Sequence, residues 1–256
     1  MNPANSAVRA FWDAKPCGSS EAAPSGTARK LLREHAQIRY EREPEVLSFA
    51  DFERWHHCRV LEIGVGMGAD FVRFGQANAK ITGIDLSRRS LELAVQNAQI
   101  HGIPPNLLNA DGEALPFPNE SFDLVYSWGV LHHTTDIDRA IAETYRVLAP
   151  DGECRLMLYH RRSLVAAQCY LRHGLARLRP FTPLSKLIAT HVESQGTKAY
   201  TIKEVKSLLG KFRGVKAKPV ITAYDFRFGR RRFAPRWMLR LIPDRLGWFL
   251  LIRAHK

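Results

Sequence analysis

The chain has 256 residues, 45% hydrophobic and 25% charged. That is enough to bury one sizeable core without disulfides or metal staples, and it excludes collagen-like, coiled-coil and wholly disordered classes. Thirty-eight basic residues against 25 acidic leave a net charge of +13, so an anionic partner of some kind is expected.

No apolar run approaches the ~18 residues of a membrane-spanning helix; the run over 248–252 is strand-sized. The first residues lack a basic segment followed by an apolar stretch, so no secretory signal is expected. Cys17, Cys58, Cys154 and Cys169 lie far apart. Without close Cys or His spacing they read as free thiols of a cytoplasmic protein, with no zinc site.

Residues 1–55 read as a helical lead-in or cap. A Gly/Ser/Pro-rich loop spans 15–26, a helix-forming run covers 28–40 and ends before Pro44, and Val46, Leu47, Phe49 and Phe52 give 45–55 an apolar face. Over 56–160 strands and helices alternate. Strands are expected at 59–65, 80–86, 106–110, 121–127 and 153–159, and helices at 68–77, 87–101 and 136–148. Pro150, Asp151 and Gly152 read as a turn. Such alternation implies an α/β fold with a parallel sheet covered on both faces. Regular alternation lapses over 161–200, an insertion expected to build a substrate pocket. Residues 201–256 complete the sheet. Thr201 and Glu204 form a capping box for a helix over 201–212, strands follow at 215–224 and 248–254, and an amphipathic helix broken at Pro243 covers 235–246.

The positive charge is uneven. From Arg227 to Lys256 nine basic residues face only Asp244, and 161–192 contains no acid at all. A solvated surface, nucleic acid, an acidic lipid surface or an anionic small substrate each fits this distribution.

The run Glu62-Ile63-Gly64-Val65-Gly66-Met67-Gly68 carries an apolar strand straight into three glycines. Glycine allows a tight turn and close approach of a ligand to the backbone. The spacing departs from a dinucleotide fingerprint, which would place its third glycine at Ala69, and no Gly-Lys-Ser/Thr follows to cradle phosphate. Asp85 ends the second strand, where a carboxylate either caps the next helix or binds the hydroxyls of a ribose. Asp111, before Gly112 and Glu113, is either a turn residue or a reader of a purine edge.

Together with Phe122-Asp123-Leu124-Val125-Tyr126-Ser127, Trp128-Gly129-Val130-Leu131-His132-His133 and the Arg146 to Gly152 turn, these residues resemble class I S-adenosylmethionine-dependent methyltransferases of the small-molecule, type 11-like branch. The resemblance covers about 59–159. It implies a Rossmann-like seven-stranded sheet with helices on both faces and the last strand antiparallel. It implies further that Gly64, Gly66 and Gly68 pass beside the methionine part of the cofactor and that Glu62 orients that part. Asp85 with Leu86 would hold the ribose, Asp111 with Gly112 and Glu113 the adenine, and Ser127 and Trp128 would border the sulfonium.

Methyl transfer from a sulfonium is an in-line displacement with a neutral leaving group, so alignment is the main task, worth ~7–11 kcal/mol. A base is needed only if the nucleophile loses a proton. His132 and His133 are the candidates, with Tyr159, His160, Arg161, His191 and Tyr200, besides Glu193 and Lys198, as pocket residues. The expected acceptor is a small molecule, with an anionic one accommodated by arginine. The alternatives are an RNA methyltransferase using the basic C-terminal third, though no RNA-binding module is recognisable, or a membrane-surface enzyme for a lipid or quinone-like substrate that docks through 230–246.

Overall fold

In the computed structural model, which describes residues 3–17, 28–194, 196–228 and 232–256, the chain begins with three helices: α1 (Pro3–Ala14), α2 (Ala28–Arg42) and α3 (Glu45–Ala50). Strands and helices then alternate: β1 (Arg59–Ile63), α4 (Ala69–Gln76), β2 (Lys80–Asp85), α5 (Arg88–Ile100), β3 (Leu107–Asn109), β4 (Phe122–Trp128), α6 (Ile137–Val147) and β5 (Leu148–Tyr159). There follow α7 (Leu164–His173), α8 (Leu184–His191), α9 (Ile202–Leu208), β6 (Arg213–Val220), the short hairpin β7 (Arg227–Phe228) and β8 (Arg232–Phe233), α10 (Arg236–Leu239) and β9 (Phe249–His255).

Seven strands form one sheet in the order β3-β2-β1-β4-β5-β9-β6. Neighbours are parallel except β9, which runs antiparallel to both β5 and β6. The central strands are buried on both faces, so they read as continuous apolar runs rather than alternating ones. One face packs Phe71, Phe74, Tyr126 and Trp128 beneath the N-terminal helices. The other packs Leu61, Val125 and Leu156 against Ile141 of α6 and Val205 of α9.

The expected capping box forms, and side chains cap other helices as well. Ser87 accepts from the Ser90 amide at the start of α5, Asp136 from the Arg139 amide at α6, and Thr201 and Glu204 make the reciprocal box at α9.

Several expectations are corrected. The turn over 150–152 lies inside β5. Asp151 takes φ 60, and the register against β4 jumps from Leu148 to Glu153, so the chain bulges there without leaving the sheet. The helix expected at 45–55 stops at Ala50, because Asp51 adopts a left-handed conformation, and continues as a 3-10 turn. The helix at 201–212 ends at Leu208. The segment 235–246 keeps one α turn, Arg236–Leu239, before Pro243 opens a 3-10 turn. Residues 161–200 contain the helices α7 and α8. The loop expected at 15–26 falls mostly outside the described residues, as does the start of the 230–246 segment.

Buried charge fastens the N-terminal helices to the sheet. Arg155, fully buried on β5, pairs with Glu153 at 2.7 Å and donates to the carbonyls of Phe49 and Ala50. Asp70, in the first turn of α4 and 1% exposed, accepts from Arg39 at 2.6 Å, Tyr40 at 2.8 Å and Tyr126 at 2.9 Å. Some basic residues towards the C-terminus are paired within the fold, Arg213 with Asp151, Lys218 with Asp244 and Lys256 with Glu120.

Removing Asp70 leaves Arg39 only the more distant Glu43, at 3.7 Å, and strips two tyrosine hydroxyls of their acceptor. Asp70→Ala is expected to lower unfolding stability by ~3–5 kcal/mol, measured by urea denaturation; a loss below ~1 kcal/mol would show that the clamp contributes little.

Candidate functional site

The carboxyl ends of β1, β2 and β4 meet at a cavity lined by Glu62, Gly64, Gly66, Asp85, Leu86, Asp111, Gly112 and Glu113, with Trp128 and His133 on its far wall. The glycine turn is demanded by sterics at two points. Gly64 has φ 81, and a Cβ there would sit 2.2 Å from Val130. Gly68 has φ 78, and a Cβ there would meet the Ala94 Cα at 3.1 Å. Gly68 sits between Met67 and Ala69, which line the cavity, and its smallness lets α4 start tight against α5.

Asp85 ends β2 and accepts the amides of Gly66 (2.9 Å) and Ser87 (2.8 Å) on its two oxygens. It thus ties the glycine turn to the second strand, and a carboxylate retains further lone pairs for hydroxyl donors. Burial pushes its pKa up to about 6, opposed by those amides. Glu62 is buried beside it, and among the described residues its Oε2 has no hydrogen-bond partner. Burial, then the neighbouring Asp70 and Asp85, push the Glu62 pKa well up, while Arg39 opposes. An orphaned buried carboxyl at a cavity wall suits a ligand that brings donors or positive charge.

Other expected residues hold the frame. Glu113 lines the cavity, but its carboxylate accepts from the Thr135 amide and hydroxyl and the Asp136 amide, fixing the entry to α6. Asp111 accepts the Glu113 amide. Ser127 is corrected: it is buried away from the cavity and donates to the Ile63 carbonyl, stitching β4 to β1. Trp128 does border the cavity, held by its indole N–H to Glu43 at 2.6 Å.

A second cavity, of about 680 Å³, opens beside the first. Trp12, Cys17, His35, Arg39, Trp128 and Gly129 line both. Tyr159 and His191 stand in its wall. His160, Arg161 and Tyr200 line neither cavity: His160 faces the Gly247 carbonyl, Arg161 pairs with Glu204 at the α9 cap, and Tyr200 bridges His160 at the sheet edge. His132 is also corrected. It is fully buried, its ring lies 3.8 Å from that of Tyr159, neither nitrogen has a hydrogen-bond partner, and burial pushes its pKa well down.

His133 lies at the junction. Its Nδ1 hydrogen-bonds Ser194 (2.8 Å) and Thr197 (3.2 Å), and its Nε2 lies 3.4 Å from Glu193. The Tyr159 hydroxyl donates to Glu193 at 2.5 Å. His132, His133 and Glu193 each offer a ligand-type atom within 4.8 Å of the others, a grouping that sequence spacing did not reveal. Glu43 also went unrecognised in the sequence, because nothing in the run 28–43 marks which face turns inward.

A parallel sheet with one reversed strand, whose β1 turn and β2 carboxylate converge on one cavity, is the frame on which class I enzymes hold S-adenosylmethionine. The chain belongs to the S-adenosylmethionine-dependent methyltransferases. The model of the Methyltransferase domain family matches residues 61–156. Demethylmenaquinone methyltransferase of Tropheryma whipplei (strain Twist) is 33% identical over 165 residues, 59% of this chain and 67% of that one. The chloroplastic 2-methyl-6-phytyl-1,4-hydroquinone methyltransferase 1 of Oryza sativa subsp. japonica is 35% identical over 105 residues, 39% of this chain and 31% of that one. A Haemonchus contortus phosphoethanolamine N-methyltransferase 2, solved with phosphomonomethylethanolamine and S-adenosylhomocysteine, shares the fold at TM-score 0.61 and 17% identity, over 91% of this chain and 60% of that one.

The Asp85 carboxylate must accept hydroxyl donors to hold a ribose. S-adenosylhomocysteine affinity is therefore expected to fall as pH drops through about 6, and Asp85→Ala should abolish binding with the fold intact. Calorimetry showing a flat pH profile or parental affinity in the variant would reject the assignment.

Proposed function

We propose that this methyltransferase acts on a small hydroxylated aromatic or quinol-like acceptor seated in the larger cavity. The observation that carries the reading is the shared wall: an acceptor between Trp128 and Tyr159 adjoins the cofactor cavity directly. The volume is that of a small-molecule site. Its walls include Tyr159 stacked on Trp248 (4.4 Å between centroids) together with Phe249 and Tyr224, which suit a flat ring. Lys15, Arg39 and Arg172 outnumber Glu43 and Glu193 around it, which favours an acceptor with an acidic substituent. Two similar proteins bear the names of menaquinone and hydroquinone methyltransferases.

The cofactor supplies an activated methyl group when bound, with Asp85 placed for its ribose and Glu62 for its cationic amino-acid end. The rest is done by side chains of this chain. Trp128, fixed by Glu43, and Tyr159 confine the acceptor and exclude water. Glu193 receives the proton the acceptor gives up, and His133 shares it across 3.4 Å. Burial, then Glu193, keep the Tyr159 phenol protonated as a donor that steadies that carboxylate. Glu193 holds a left-handed backbone, φ 56, a strain that places its side chain against both partners.

Glu193→Gln is expected to lower kcat on a hydroxylated ring acceptor by about 10²–10⁴-fold while S-adenosylhomocysteine affinity stays at the parent value. Parental turnover in that variant would mean catalysis by alignment alone. Methylation of aliphatic amines but of no ring acceptor in a panel would reject the acceptor class.

A further inference from the structure

The segment joining α7 to α8 is built unlike the rest of the surface. Residues 175–181 are all exposed. Within them Leu178 is 91% and Phe181 96% exposed, the two most solvent-accessible large apolar side chains among the described residues. Leu171 and Leu175 add further exposed apolar surface on the same stretch. Leu178 also takes φ 55, a left-handed conformation that leucine disfavours. The loop is nonetheless tied down: the Leu178 amide donates to Leu175, the Arg179 amide to Gly174, the Thr182 amide to Arg179, and the Tyr170 hydroxyl to the Pro180 carbonyl at 2.7 Å. An ordered turn therefore holds two large apolar side chains out in water.

Charge surrounds those tips. Arg172, Arg177, Arg179 and Lys186 are exposed, and among the described residues none of them pairs with an acid. The whole stretch 161–192 contains no Asp or Glu. Apolar tips flanked by unopposed cations match the interface of an anionic bilayer, where the tips enter the acyl boundary and the guanidinium groups meet lipid phosphates. The inner side of the same helices, at Val165, Cys169 and His173 on α7 and His191 on α8, walls the larger cavity.

We propose that the α7–α8 turn docks this protein on an anionic lipid surface through Leu178 and Phe181, with Arg177 and Arg179 binding lipid headgroups. The surface differs from the 230–246 segment expected from sequence. Docking itself is independent of the catalytic reading. The further step, that a lipid-borne acceptor reaches the cavity from this side, rests on that reading.

The test is co-sedimentation of the full chain with phosphatidylcholine vesicles, with or without phosphatidylglycerol. Binding is expected only with phosphatidylglycerol and should weaken as salt rises. Leu178→Ser with Phe181→Ser, and separately Arg177→Glu with Arg179→Glu, should each weaken it by at least about tenfold, while S-adenosylhomocysteine affinity is unchanged and shows the fold intact. Absence of parental binding to anionic vesicles would overturn the proposal, as would full binding by both double variants. So would a dimer in solution that the apolar variant dissolves, since that would assign the tips to a second copy. Loss of vesicle binding with activity retained on a soluble acceptor supports docking; absence of methyl transfer to any acceptor would overturn the catalytic reading alone.

Discussion

The buried Asp70 cluster is the constraint on which both cavities depend. Asp70 lies in the first turn of α4, where the helix dipole favours negative charge, and it gathers Arg39 and Tyr40 from α2 and Tyr126 from β4. Arg39 also stands 3.7 Å from Glu43, and Glu43 holds the Trp128 indole. One connected set of charges and donors thus runs from the helix behind the glycine turn, through the N-terminal cap, to the wall between the two cavities. Burial alone would push both Glu43 and Glu62 towards protonation; Arg39 is the cation that opposes it at each. The cap is therefore part of the site's electrostatics as well as its roof.

The strands and their order of appearance were legible because central strands of a parallel sheet must be apolar on both faces, and such runs stand out in sequence. The capping box at α9 was legible because Thr201 and Glu204 satisfy amides that no other local group reaches. The glycine turn and Asp85 were legible from their positions at strand ends. What failed were inferences about direction. Ser127 and Trp128 are adjacent on β4, and alternation sends them to opposite faces, so only Trp128 meets a cavity. His132 and His133 sit in a 3-10 turn, where neighbouring side chains diverge, and nothing local says which one packs in the core. Arg161 looked free to bind an anion until α9 brought Glu204 to it.

The 161–200 insertion was the least legible part. Its helices are short, and α7 buries only Ala166 and Cys169 and α8 only Leu187 and Ile188, so no wide apolar stripe marks them. Glu193 shows the same limit at one residue. A glutamate between valine and serine carries no sequence signal of a strained backbone or of Tyr159 and His133 as neighbours, yet all three converge there.

This division has a consequence for specificity. The family match spans 61–156, and that segment supplies the glycine turn, Asp85, Asp111 and Trp128. The larger cavity takes only Trp128 and Gly129 from it. Its remaining walls come from the N-terminal helices, from β5 past Met157, from α7 and α8, and from the stretch around Tyr224 to Phe249. The smaller cavity is thus built mainly from one continuous block around the sheet's carboxyl edge, joined by Val8, Trp12, Cys17, His35 and Arg39, and the larger cavity mainly from separate pieces before and after that block. Changes in α7, α8 or at Tyr224, Trp248 and Phe249 can remodel the larger cavity without touching the glycine turn, Asp85 or Asp111, provided the Arg39–Asp70 pairing keeps the cap in place.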